Sequence, residues 1–174
     1  MFALSFMLLG INTIDLYNLA EVTRDGRVEY ARSKTDGLFS VKVEPEALEL
    51  IERWRGENKL LCMADRWSDH KNFQHQMNRA LRQIGAVRRV GRGGKKVREP
   101  LFPELTSYWA RHTWATIAWE VGVSEDVISQ ALGHQGTGAR VTEVYIRRSM
   151  ARVDEANRRV LDFVFKKCAD SDNW

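Results

Sequence analysis

A mainly helical α+β domain with a small antiparallel three-stranded sheet is the fold class this sequence predicts, on three observations. Apolar residues recur at three- and four-residue spacing through much of the chain, as in Phe73, Met77, Leu81 and Ile84, which is the period of a helix with one buried face. Two Asp-Gly turns, Asp25-Gly26 and Asp36-Gly37, flank the alternating runs Val28/Tyr30 and Phe39/Val41/Val43, the pattern of a short antiparallel meander. The chain has 174 residues, 44% of them hydrophobic, and no break in composition, so one core is expected rather than two.

In chain order, residues 2 to about 20 predict a buried helix, followed by the meander. Pro45 at a first helical position, with Leu48, Ile51 and Trp54 or Arg55 behind it, predicts an amphipathic helix that Gly56 ends. Lys59 to Met63 reads as a short buried strand, and Ser68 as the cap of a helix over Phe73, Met77, Leu81 and Ile84 that Gly85 closes. Residues 105–121 predict a helix with Trp114, Ile117, Ala118 and Val121 on one face. Gly122 ends it, Ser124 with Glu125 and Asp126 starts another, and Gly133 is its left-handed stop, leaving His134 just beyond. A loop holding Gly136 and Gly138 leads to a last helix whose Val144, Met150, Val153, Val160, Leu161 and Val164 form a seam. The domain is expected to span 1–165, with 166–174 as a C-terminal tail.

Composition narrows the partners. Lys and Arg outnumber Asp and Glu by 27 to 23, a formal +4, which permits a polyanionic partner without establishing one. Much of that charge is concentrated in Arg88, Arg89, Arg92, Lys95, Lys96 and Arg98, set among glycines with no apolar period. That segment is either a solvated flexible loop or a basic arm tracking a phosphate backbone. Cys62 and Cys168 have no metal-ligand or disulfide spacing, which points to a reducing cytoplasmic setting. The apolar start from Met1 to Ile11 is too short to span a membrane and lacks a signal peptide's basic region. Because it opens directly on core-like residues, a preceding N-terminal domain is expected.

The most informative stretch runs from Arg111 to Tyr145. At about 100° per residue, Arg111 lies roughly 60° from Trp114, at the edge of the apolar face. A guanidinium there requires an internal carboxylate or an anionic ligand. Tyr108, one turn earlier on the same side, brings its hydroxyl toward the same ligand. His112 points away from Trp114 and reads as a surface or structural residue. The run Ala118 to Gly133 also has the look of a helix-turn-helix, the unit of a transcription regulator. Its second helix would, however, present Glu125 and Asp126 to phosphates, and a regulator has no need of Arg111, His134 and Tyr145 together.

Those residues carry a resemblance. Arg111-His112-Thr113 with Ala115-Thr116, Leu132-Gly133-His134 and Thr142-Glu143-Val144-Tyr145, preceded by Leu8-Leu9-Gly10, Asp15-Leu16 and Lys34 in a hairpin, resemble the catalytic domain of a tyrosine recombinase of the phage-integrase family, mobile-element type. The resemblance spans nearly the whole chain and is most specific in the C-terminal half. It implies a DNA recombinase or integrase that cuts and rejoins double-stranded DNA through a 3′-phosphotyrosyl link. Tyr145 would be the nucleophile, Arg111 the clamp on a non-bridging oxygen, His134 a second donor and Lys34 the acid for the leaving 5′-oxygen. It implies no metal or other cofactor. It further implies a homo-tetramer on DNA whose C-terminal segment contacts a neighbour, and a bacterial cytoplasmic protein associated with the nucleoid when bound.

Two positions depart from the family pattern. Asn12 stands where the family has its first arginine, and Tyr108 where it has a histidine or lysine. The spacing of eleven residues from His134 to Tyr145 is also slightly long. Asn12 and Tyr108 still offer neutral hydrogen bonds. Arg32, on the same strand face as Lys34, is the candidate to supply the missing guanidinium. The alternatives are a degenerate recombinase that binds DNA without cutting it, and the helix-turn-helix regulator.

Overall fold

A computed structural model describes residues 1–33, 37–133 and 143–171, with the backbone alone for 143–149 and 167–171. The described residues form a small α+β unit of eight helices and two separate two-stranded antiparallel sheets. None of these helices is long and apolar enough to cross a membrane.

The apolar start is two short helices, α1 (Phe2–Met7) and α2 (Thr13–Asn18), and not the single helix that its hydrophobicity predicts. Leu9 and Gly10 both take positive φ, +62° and +66°, so the chain turns between them. Gly10 N–H donates to the Ser5 carbonyl at 2.8 Å and the Ser5 hydroxyl to the Ile11 carbonyl at 2.7 Å, which satisfies the helix end inside the core.

Strands β1 (Arg27–Ala31) and β2 (Leu38–Lys42) pair as the alternation predicts, with buried Val28 directly opposite buried Val41. The expected three-stranded sheet is absent among the described residues. Lys59 to Met63 supplies one isolated bridge, Arg55 to Leu61, before helix α4 (Met63–Arg66) begins. Leu60 and Leu61 are buried, so that run follows the hydrophobic signal without a strand ladder to join.

Helix α3 (Pro45–Arg53) starts at its proline but buries Ala47 and Ile51, leaving Leu48 and Trp54 exposed. Helix α5 (His70–Leu81) is capped by Asp69, whose carboxylate accepts from Lys71 N–H and Asn72 N–H, and Ser68 has no such role. Phe73, Met77 and Leu81 face the core as their spacing predicts, while Ile84 lies past the helix end and is exposed.

The glycine-rich basic segment is neither a flexible loop nor unstructured. It forms a hairpin of β3 (Gly85–Val90) and β4 (Lys95–Pro100) around a turn in which Gly91 and Gly94 take positive φ. Its alternation is hidden in sequence because neither face is buried.

Helix α6 (Trp109–Glu120) is the centre of the core. It packs on α1 on one side and on α7 (Glu125–Ala131) and α8 (Glu143–Ser171) on the other. Trp114 is fully buried, and its indole N–H donates to Asn157 Oδ1 at 2.9 Å; Asn157 Nδ2 in turn donates to the Met7 carbonyl at 2.9 Å. This relay ties α6, α8 and α1 together. Asn157→Leu would leave two buried partners unpaired, at about 1–3 kcal/mol each. We expect a loss of about 2–5 kcal/mol, read as a drop in Tm of roughly 5–15 °C. An unchanged Tm would mean that the relay contributes nothing. Helix α8 runs on to Ser171, past the 165/166 boundary expected for the tail.

Candidate functional site

The turn between α1 and α2 positions one side of the site. Leu9 is 2% exposed, and its left-handed backbone, costing about 1–2 kcal/mol for a residue with a Cβ, is held by burial of its side chain. The result is that the Gly10 carbonyl faces α6, where it accepts from Arg111 Nη1 at 3.3 Å. Gly10 allows this approach: a Cβ there would lie 2.3 Å from Arg111 Cα.

The C-terminal end of α7 positions the other side. Gly133 takes φ +63°, the left-handed stop that its place in the sequence predicts. Arg111 Nη2 donates to the Leu132 carbonyl. Arg32, leaving β1, donates from Nη1 to the same Leu132 oxygen at 2.6 Å and to the Gly133 carbonyl at 2.9 Å, with its guanidinium 5.9 Å from the Phe39 ring centroid. Both arginines are 8% exposed. A Cβ on Gly133 would lie 2.3 Å from Phe39 and 2.6 Å from Arg32 Nη1, so both glycines of the site are there for close approach.

Two buried guanidiniums thus share one backbone carbonyl, and among the described residues no carboxylate forms an ion pair with either. Burial, and then the neighbouring Arg32, push the Arg111 pKa down, against the opposing pull of Tyr108, Tyr30 and Asp15. Arginine stays charged through any such shift. The Tyr30 phenol is pushed well above its ordinary range, by burial first and Asp15 second. Asp15 is 3% exposed and accepts from Ser33 N–H at 3.0 Å and its hydroxyl at 2.7 Å. Two like charges therefore converge in low dielectric, each held by backbone carbonyl oxygens.

Beside Arg111 lies a cleft of about 190 Å³ whose lining includes Asn12, His70, Gln74, Ser107 and Tyr108. The structure therefore brings together Arg111, Asn12 and Tyr108 at the cleft, with Arg32 meeting Arg111 at the Leu132 carbonyl. Lys34 and His134 lie outside the described residues; Tyr145 lies on α8, its side chain outside them. Arg88, Arg89, Arg92, Lys95, Lys96 and Arg98 are on the β3–β4 hairpin or its turn and do not line the cleft. His112 is exposed and packs edge-on against Tyr108, 4.6 Å between centroids. His70 and Gln74 are cleft residues that the sequence did not reveal. They sit on α5, far along the chain from every motif, and only packing of α5 against α2 brings them there.

Comparison of the chain with protein-family models, curated proteins and solved structures finds no match.

Proposed function

We propose that this chain is the catalytic domain of a tyrosine recombinase, cutting and rejoining double-stranded DNA. The observation that carries the reading is the convergence of Arg32 and Arg111 on the Leu132 carbonyl, one residue before Gly133-His134. A phosphodiester offers two non-bridging oxygens with one negative charge, and planar guanidinium forks suit them better than ammonium groups. Arg32 takes the part left vacant at Asn12, while Asn12 and Tyr108 line the cleft as neutral donors.

In this reading Tyr145 Oη attacks the phosphorus and the P–O5′ bond breaks, forming a 3′-phosphotyrosine and a free 5′-hydroxyl. Lys34 protonates the leaving oxygen, and His134 donates to a non-bridging oxygen. A phenol with a pKa near 10 is a weak nucleophile at neutral pH, so concentrating cations on the phosphate is where this protein lowers the barrier. The homo-tetramer, the trans docking of the C-terminal segment and the nucleoid-associated cytoplasmic location belong to the same proposal.

The degenerate reading, binding without cleavage, draws on Asn12 and Tyr108 standing where the family has cations. The regulator reading is weakened by α7, whose first turn exposes Glu125 and Asp126, two carboxylates that would meet phosphates.

The test is a pool of nicked duplexes of randomised sequence incubated with the protein and resolved under denaturing conditions. We expect a covalent protein–DNA band from the wild type and none from Tyr145→Phe. Reversible binding without a band would overturn cleavage and leave a DNA-binding protein, the degenerate recombinase or the regulator. A band that survives Tyr145→Phe would overturn the nucleophile.

A further inference from the structure

The β3–β4 hairpin has two chemically different faces. Directly opposed residues of an antiparallel pair share a face, and neighbours along a strand alternate. The register sets Arg88 with Val97 and Val90 with Lys95 on one face, and Val87 with Arg98 and Arg89 with Lys96 on the other. On the first face Arg88 Nε is paired with Glu99 at 2.8 Å. On the second, Arg89 lies directly across from Lys96, with Arg98 next along the strand, and no carboxylate pairs with any of the three among the described residues.

That arrangement costs stability in the free protein. Like charges directly opposed across a ladder are unfavourable, and a lone two-stranded hairpin is marginal even without them. Every residue of β4 is exposed, and five of the six in β3. Six cations against Glu99 make the segment from Gly85 to Pro100 +5, one more than the whole chain's +4, so the remaining chain is −1. The protein's positive charge is therefore carried outward on one thin ribbon.

We infer that this hairpin is a duplex-DNA arm, gripping the DNA through Arg89, Lys96 and Arg98 at a surface separate from the cleavage cleft. The inference rests on the reading that DNA is the partner, and adds where and by which face it is held. A two-stranded ribbon matches a B-form major groove about 12 Å wide, and cations on one face of it meet phosphates at the groove's edge. Arg88, neutralised by Glu99, lies with Lys95, Val90 and Val97 on the face turned from those phosphates, which carries one net positive charge against three.

Salt-titrated binding to a short duplex tests this, because each phosphate neutralised adds about 0.9 to the slope of log K against log salt. Arg89→Gln/Lys96→Gln/Arg98→Gln is expected to flatten the slope by about 2.7. Arg98 Nη1 also donates to the Gln83 carbonyl at 2.9 Å, so Arg89→Gln/Lys96→Gln is the second variant, expected to flatten it by about 1.8. Arg88→Gln/Glu99→Gln, on the other face, should leave the slope unchanged. If all three variants keep the wild-type slope while the protein still forms its covalent adduct, the arm is overturned and the recombinase reading stands. If the wild type binds no duplex, both fall. Tighter binding of poly-glutamate than of duplex would replace DNA by an acidic protein surface.

Discussion

Arg111→Leu is expected to lower covalent adduct formation about 10²- to 10³-fold, the cost of losing one donor aimed at developing charge, while Tm falls by no more than about 10 °C. The two expectations diverge for a physical reason. Arg111 is held in the free protein by two carbonyls, Gly10 and Leu132, at the expense of its own desolvation and of repulsion from Arg32. Leucine removes that desolvation and repulsion but leaves the Gly10 carbonyl unpaired, at about 1–3 kcal/mol, while the Leu132 carbonyl keeps its bond from Arg32. Arg32→Leu should behave alike, and the double variant should lose less than the product of the single losses, because two cations on one phosphate act as a unit. Arg111→Lys should not restore the rate, since an ammonium lacks the planar fork. A Tm that collapses with Arg111→Leu would show that the guanidinium is a structural strut and would remove the main support for an anion site.

Gly10→Ala is expected to be strongly destabilising. The new Cβ would sit 2.3 Å from Arg111 Cα and 2.7 Å from its Cβ, with φ at +66°. Neither obstacle is the far end of a flexible side chain, so α1 and α6 must move apart. The left-handed backbone costs about 1–2 kcal/mol and forced overpacking about 1–3 kcal/mol more. Gly26→Ala separates the two contributions, because Gly26 has φ +74° with nothing within 4 Å of a new Cβ. It should lose only the backbone part. Urea unfolding of the two variants reads the difference, and equal losses would mean that α1 and α6 have room to relax.

Elements were legible in the sequence wherever one face is buried and the other wet. Phe73, Met77 and Leu81 have helical spacing because α5 covers the core on one side, and Val28 with Val41 alternate because β1 and β2 do. The same logic misleads where both faces are alike. The β3–β4 hairpin is exposed on each side and so carries no period, and α1 with α2 is buried on nearly every side, which hid the turn at Leu9-Gly10. In α3 the small Ala47 is buried beside Ile51, and the larger Leu48 faces solvent; size and hydrophobicity rank candidates for burial but do not orient a helix.

The site divides along the same line. Arg111 was placed at the edge of the buried stripe by helix geometry alone, since its angle from Trp114 follows from their separation of three residues. Arg32 enters only through the family resemblance, as the arginine two residues from Lys34 on the same expected strand face. What local rules do not contain is the distance between them. That Arg32 and Arg111, 79 positions apart, meet on one carbonyl depends on Gly10 and Gly133 having no Cβ where α6 and β1 must pass. Likewise His70 enters the cleft through the packing of α5 on α2. The sequence by itself determined which side chains are chemically fit to hold a phosphate. The tertiary structure alone decided which of them converge, because convergence is a property of packed surfaces and no period along the chain encodes it.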